Sequence, residues 1–310
     1  MDLIRTLYPS PEAGRPVALT IGNFDGLHRG HQALIGAVVE RAPDLVPALM
    51  CFEPLPATLF RADRPVPRLL GVTDRIQLAR RLGLQRLYMA RFNRAFAALE
   101  PDVFLRDIVA AAIGARHVVV GADFRFGARA AGDVALLARL GRRLGFGVEV
   151  IEPVCQGAQK ISSSRIRSLL AAGDLDAAAA LLGRPYSLSG RVLHGQQLGR
   201  RLGFPTVNLR PPTPPALQGV FAVRVSGPGL DAHPGVANLG RRPTVNGSNW
   251  LLEVHLFDYD DNLYGQRLEV EFLQRLRGEE KFPDLAAMTR QMQTDALQAR
   301  RVLAAAAVAS

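Results

Sequence analysis

Lysine is almost missing from this 310-residue chain. Lys160 and Lys281 are its only two, and the other basic residues among its 38 are arginines. Arginine is the side chain suited to bidentate phosphate contacts, although an Arg- and Ala-biased proteome would give the same count. The two cysteines, Cys51 and Cys155, lie far apart and have no neighbouring His spacing, which excludes a disulfide scaffold and a structural zinc site. Both read as buried small hydrophobes. Aromatics are 6% of residues with a single Trp, too few for a surface that stacks nucleic-acid bases. No run approaches the roughly 18 unbroken apolar residues of a membrane-spanning helix. The opening MDLIRTLYPSPEAGRP carries acids and prolines instead of a signal-peptide core, so the expected address is the cytoplasm. The net charge of +10 is spread along the chain without a long basic run, and by itself it selects no partner.

What is present is a globular composition, 48% hydrophobic against 21% charged, in a chain about twice the ~150 residues of an average domain. Two domains are therefore expected. From Val17 to about Pro153, apolar runs of strand length (VALTIGNF, LVPALMCF, RLYMARF, HVVVGADF, VEVIEPV) alternate with helical patterns, the signature of βαβ units and a parallel sheet. In GHQALIGAVVERA the apolar stripe is expected at Ala33, Leu34, Ala37 and Val38. ISSSRIRSLLAAGDLDAAAALLG reads as two helices split at Gly173-Asp174, with Asp174 capping the second and Gly183 stopping it. After Arg184-Pro185 short alternating strands take over (SLSGRVLHG, GVFAVRVS, HPGVANLG, WLLEVHLFDY, QRLEVEFLQRLR), as in a small antiparallel barrel or sandwich. A loop follows from Pro211 in PPTPPALQ, and a long helix closes the chain from Asp284.

The chemistry of the first half gathers where IGNFDG runs into LHRGHQ. The first βα turn of a parallel sheet offers free backbone N–H groups and the positive end of a helix dipole to a nucleotide's phosphates. His28 and His31 stand three apart at that helix start and can face one ligand, while Gly22 and Gly30 remove bulk beside the backbone. Such imidazoles can stabilise charge developing on phosphorus. A satisfied core His or an i,i+3 metal pair are the competing readings, and no third ligand accompanies the pair. In ISSSRIR, from Ile161 to Arg167, a plain Ser N-cap would need one hydroxyl and no cations, whereas a polyphosphate clamp uses the whole string.

In the second half, GRVLHGQQLGRRLGFPTVNL sets Gly195 and other glycines around Arg200-Arg201, followed by Thr206 and Asn208 two apart. A glycine-rich loop beside Arg can wrap phosphates, and a Thr hydroxyl with an Asn carbonyl can face one Mg²⁺; an ordinary barrel hairpin reads the same way. In WLLEVHLFDY, Glu253 and His255 share a face with Leu251 and Phe257, either a lined pocket where Glu253 deprotonates an attacking hydroxyl or a solvated outer face.

GNFDGLHRGHQ, GADFRFGARAAGD and ISSSRIR resemble the adenylyltransferase half of the bacterial bifunctional FAD synthetases, whose superfamily carries an HxGH turn and a later Ser/Thr-rich, Arg-containing motif. PTVN, GVFAVRV, GVANLGRRPTVNG, LEVHLFDYDDNLYGQRLEVEFLQRLRGEEKF and QMQTDALQAR resemble the riboflavin kinase half, in order. The resemblance implies a Rossmann-like nucleotidyltransferase domain with a parallel sheet over 1–184, including the helical segment 161–184. A riboflavin kinase-like β-barrel closed by a long helix would occupy 185–310. It implies that His28 and His31 contact the ATP phosphates, that Ser163, Ser164 and Arg167 bind the same triphosphate, and that Gly22, Asn23, Phe24 and Asp123 shape the substrate site. In the second half, Thr206 and Asn208 would hold Mg²⁺–ATP, Gly195 and Arg200 the phosphates, Glu253 would be the base on the ribityl hydroxyl, and Arg277 would lie near the flavin. Ser164 stands where the family often has Thr, and Val207 where it usually has Ala. The implied partners are the small molecules ATP, riboflavin and FMN, with neither nucleic acid nor membrane. Two other readings are a nucleotidyltransferase with another acceptor and a non-catalytic basic protein that binds nucleic acid or flavin.

Overall fold

Val17–Ile21 and Val46–Glu53 are apolar on both faces, which suits only strands covered on both sides, and they pair in parallel with Leu19 beside Ala48. A computed structural model describes residues 1–7, 15–60, 66–194, 203–211, 213–244 and 247–308. The chain divides into two units, Met1–Val66 with Val72–Ser162, and Pro67–Gly71 with Ser163–Ser310.

The first unit is the expected parallel α/β layer. Its strands β1 (Asp2–Ile4), β2 (Val17–Ile21), β3 (Val46–Glu53), β4 (Arg86–Arg91), β5 (Ala115–Gly121) and β6 (Gly147–Ile151) stand in the order β1-β4-β3-β2-β5-β6. The winding reverses between β2 and β5, and a doubly wound sheet opens its ligand crevice at the carboxyl ends of the strands there. Helix α1 (Arg29–Val39) follows β2, and its buried side is Ile35, Ala37 and Val38; the apolar stripe is rotated from the one expected, with Ile35 taking the inward place instead of Leu34. After α2 (Pro56–Phe60) and α3 (Val72–Arg81), the short α4 (Arg94–Ala97) and α5 (Pro101–Val103) lead into a π-helical stretch, Phe104–Ala112, ended by the Ile113 N–H on the Ile108 carbonyl. Helix α6 (Val134–Leu144) is capped by Asp133 and stopped by left-handed Gly145. Cys51 is buried in β3, but Cys155 is exposed: it sits in a two-strand hairpin, β7 (Cys155–Gln156) and β8 (Gln159–Lys160), with no layer over it. That corrects the expectation of two buried thiols.

In the second unit, α7 (Ser163–Ala172) and α8 (Leu175–Leu182) part at Gly173-Asp174, with Asp174 accepting the Ala177 N–H and Gly183 left-handed after the last turn, as the sequence indicated. Strands β9 (Tyr186–Leu193), β10 (Val207–Leu209), β11 (Gly219–Gly227), β12 (Leu230–Thr244), β13 (Gly247–Leu256) and β14 (Arg267–Arg277) close an antiparallel barrel in the order β10-β13-β12-β11-β14-β9. Alternate residues such as Val223, Val225, Val254 and Val270 fill it, and Phe221 meets Phe272 edge to face at 5.2 Å. Helix α9 (Leu285–Val308) covers the outside of β11 through Ala299 and Leu303 on Ala222 and Phe257.

Candidate active sites

The turn after β2 is held in an uncommon backbone. Phe24, Gly26 and Leu27 have φ of 48°, 91° and 44°, and the two non-glycines are completely buried. A left-handed Phe or Leu costs about 1–2 kcal/mol, and such strain gathers at functional turns. The path brings His28 to the N-cap of α1, where its Nδ1 accepts the His31 N–H at 3.3 Å. In that bond the His28 Nδ1 is the acceptor. The two imidazoles stack at 3.6 Å. A Cβ at Gly30 would stand 3.3 Å from the His28 ring, and one at Gly22 3.1 Å from the Phe24 ring. The room both glycines leave is taken up by these rings.

Burial, then the neighbouring His28, Arg75 and Lys160, push the His31 imidazole well below its ordinary pKa. It stays neutral at physiological pH, while its Nδ1 is buried without a hydrogen-bond partner among the described residues. At the end of β5, Asp123 is exposed and bonded to Lys160, which holds its carboxyl below the usual range. Asn23 is exposed in the turn itself. The structure thus gathers His28, His31, Phe24, Gly22 and Asn23 at one turn, with the Asp123–Lys160 pair acting on it. Phe52, Phe92, Phe96 and Phe104 form a chain of ring contacts of 5.5–6.1 Å from the carboxyl end of β3 onward, and Phe60, 69% exposed, meets Phe92. The sequence reading missed these ring contacts, because the rings come from separate elements: β3, the turn after β4, α4 and the π-helical stretch.

In the second unit, Ser163, Ser164 and Arg167 open α7. Ser164 is exposed, and the Arg167 Nε donates to the Pro67 carbonyl at 2.7 Å. On the barrel, Asn208 registers with Glu253, and Glu253 with Asn238 on the other side. Flanking pairs such as Leu209–Leu252–Leu239 are buried inside, so Asn208, Glu253 and Asn238 form one polar row on the outer face. Asn208 is nonetheless only 8% exposed. Asn238 was invisible in the sequence, since only strand register places it beside the carboxylate. His255 Nδ1 donates to the Pro205 carbonyl at 2.8 Å and its ring meets Phe204, so this imidazole clamps the segment before Thr206. A cavity of about 270 Å³ opens beside Thr206, lined by Val207, Val254 and Leu256 and by the 259–264 loop. Val207 pairs with the buried Val254 and points to the barrel side, away from Asn208. Gly195 and Arg200 lie outside the described residues.

Two family profiles match successive parts of the chain. An FAD synthetase profile matches residues 10–165 and a riboflavin kinase profile residues 182–303. The bifunctional riboflavin kinase/FMN adenylyltransferase of Escherichia coli (strain K12) is 41% identical over 307 residues, 97% of either chain. The chain belongs to the bifunctional riboflavin kinase/FMN adenylyltransferase family. The relative of that name from Pseudomonas fluorescens is also 41% identical, over 99% of both chains. A crystal structure of a protein described as a macrolide-efflux protein from Streptococcus pneumoniae matches with a TM-score of 0.79 at 28% identity, over 95% of this chain and 96% of that one. Within this riboflavin kinase/FMN adenylyltransferase, Arg277 is committed to structure: it grips Asp295 of α9 through Nε and Nη2, donates to the Gly278 carbonyl, and lies over the Phe282 ring.

Proposed function

We propose that the two activities of this bifunctional enzyme, phosphorylation of riboflavin by ATP to FMN and adenylylation of FMN by ATP to FAD with release of pyrophosphate, are divided between the two clusters. The observation that carries the division is that the histidine turn and the Asn208–Glu253 row belong to different units. In the parallel-sheet unit, His28 and the neutral His31 donate N–H groups to the phosphates of ATP, where charge accumulates as the FMN phosphate attacks. Asn23, Asp123 and the Phe52–Phe104 ring chain shape the acceptor side, the aromatics offering a face to the isoalloxazine. The triphosphate role of Ser163, Ser164 and Arg167 rests on the ISSSRIR motif. We draw the functional division at residues 184 and 185, between α8 and the first barrel strand.

On the barrel, Glu253 takes the proton of the ribityl 5′-hydroxyl as it attacks the γ-phosphorus, and Asn208 and Asn238 hold the carboxylate in place. Arg277 acts by fixing α9 to the end of β14 beside the flavin. The donor set fits a magnesium ion: the Thr206 hydroxyl and the Asn208 amide are hard oxygens, Asn208 is desolvated, and a carboxylate stands next to it. Thr206 and Asn208 would hold the ion together with oxygens of ATP. Bound there, Mg²⁺ neutralises phosphate charge and orients the triphosphate. We place the reactions in the cytoplasm, where ATP is made; no helix among the described residues is long and apolar enough to cross a membrane. Incubation of the purified protein with riboflavin and MgATP, with flavins resolved by chromatography, should show FMN and then FAD. Absence of both sinks the assignment.

A further inference from the structure

One cation of the parallel-sheet unit is buried beside a carboxylate without a hydrogen bond among the described residues. Arg75, near the start of α3, has no solvent exposure, and none of its three guanidinium nitrogens finds a hydrogen-bond partner among the described residues. The Glu53 carboxylate stands 3.8 Å away, which balances charge but is beyond hydrogen-bond distance. A desolvated guanidinium with its donors unanswered is costly, and the cost is recovered when an anion arrives to take them. Its place suits that. Glu53 ends β3, so Arg75 lies at the carboxyl edge of the sheet on the β3 side of the histidine turn. Its charge reaches His31, whose own buried Nδ1 is also unanswered. Lys160, tied to Asp123 after β5, reaches the same imidazole from the other neighbour of β2 in the sheet. His31 is flanked by one cation on each side of the point where the sheet reverses.

Adenylyl transfer needs such a pair. An oxygen of the FMN phosphate forms a bond to the α-phosphorus of ATP while the bond from that phosphorus to the β-phosphate oxygen breaks. Pyrophosphate leaves with the electron pair, and no proton need be transferred. Attack and departure are in line, so two anions lie on opposite sides of the α-phosphorus and require separate cations. We propose that Arg75 binds the phosphate of the FMN acceptor on the β3 side of the histidine turn, opposite the departing pyrophosphate. This rests on the reading of His28 and His31 as the adenylylation site; loss of FAD formation in the wild type would refute that reading, whereas the test below separates sides within it.

The test uses the full chain with Arg75→Gln and Arg75→Lys. Initial rates of FAD formation should show the KM for FMN raised at least tenfold in Arg75→Gln and partly restored in Arg75→Lys. The KM for ATP should stay within twofold, as should the rate of riboflavin phosphorylation. A raised KM for ATP, or for pyrophosphate in the reverse reaction, with FMN unaffected would put Arg75 on the leaving-group side and overturn the proposal. So would unchanged constants with a lowered melting temperature, the mark of a purely structural partner for Glu53. Should neither variant fold, hydrogen exchange of the wild type decides. With a non-hydrolysable ATP analogue present, FMN should slow exchange over residues 72–81 and riboflavin, which lacks the phosphate, should not. Equal effects of the two flavins overturn the proposal.

Discussion

His28 spends its Nδ1 on the His31 N–H, while burial and three cationic or ionisable neighbours hold His31 uncharged. An uncharged His31 stacked on His28 can donate to a phosphate as charge grows on it. His31→Ala should therefore lower FAD formation from FMN by about 10²–10³-fold while FMN formation from riboflavin continues. Glu253→Gln should do the reverse, losing about 10²–10⁴-fold in FMN formation and sparing adenylylation. Either variant stopping both steps in a folded protein would refute the division. The pH dependence has a definite sign. In the folded protein the His31 pKa lies below 6.5, so the unfolded chain binds the proton more readily. His31 thus contributes stability that is complete above 6.5 and is lost as pH falls through the interval down to its folded value. The pH–rate profile of FAD formation should place the His31 limb below 6.5; a break above it, removed by His31→Ala, would show the imidazole charged instead. The histidine pair was legible because its spacing and its place at a helix start name its chemistry. Arg75 was not, since an arginine beside Asp74 in an amphipathic helix reads as a solvated face, and only its burial singles it out.

The central strands were readable because burial on both faces demands unbroken apolar runs, and the barrel because strands with one face inside must alternate. Missed elements were those whose residues do not specify them: β1 is three residues long and exists by pairing with β4, and Phe104–Ala112 keeps the apolar pattern of an α-helix while winding as a π-helix. Register was also beyond the sequence, and with it the alignment of Asn238 with Glu253. One glycine shows how tightly register is held. Gly219, at the start of β11, has φ 129°, and a Cβ there would come within 2.5 Å of the Arg277 carbonyl on β14. Gly219→Ala must distort both strands where Arg277 anchors α9, at a cost of about 1–3 kcal/mol. It should lower the denaturation midpoint of the barrel unit and weaken FMN formation more than adenylylation. An unchanged midpoint would mean that the strand end yields without strain.

At the scale of the chain, several arginines tie elements together through carboxylates: Arg41 on Glu149, Arg277 on Asp295, and Arg300 on Asp258 through two hydrogen bonds. The helical pair α7–α8 raises a separate question of foldability, since it precedes the barrel strands yet groups with them. Its inner side chains Ile166, Leu170, Leu175, Leu181 and Leu182 are buried, and α8 packs against β9 and β14. Each large apolar side chain removed from water is worth about 1.5–3 kcal/mol. Part of that area is shared between the two helices, so their loss should cost the barrel several kcal/mol, which in a domain of this size lowers Tm by about 10 °C or more. A fragment comprising residues 163–310 should accordingly melt well above one comprising 185–310, and both can be scored for conversion of riboflavin to FMN. If the two melted together, the helices would contribute nothing to the barrel's stability.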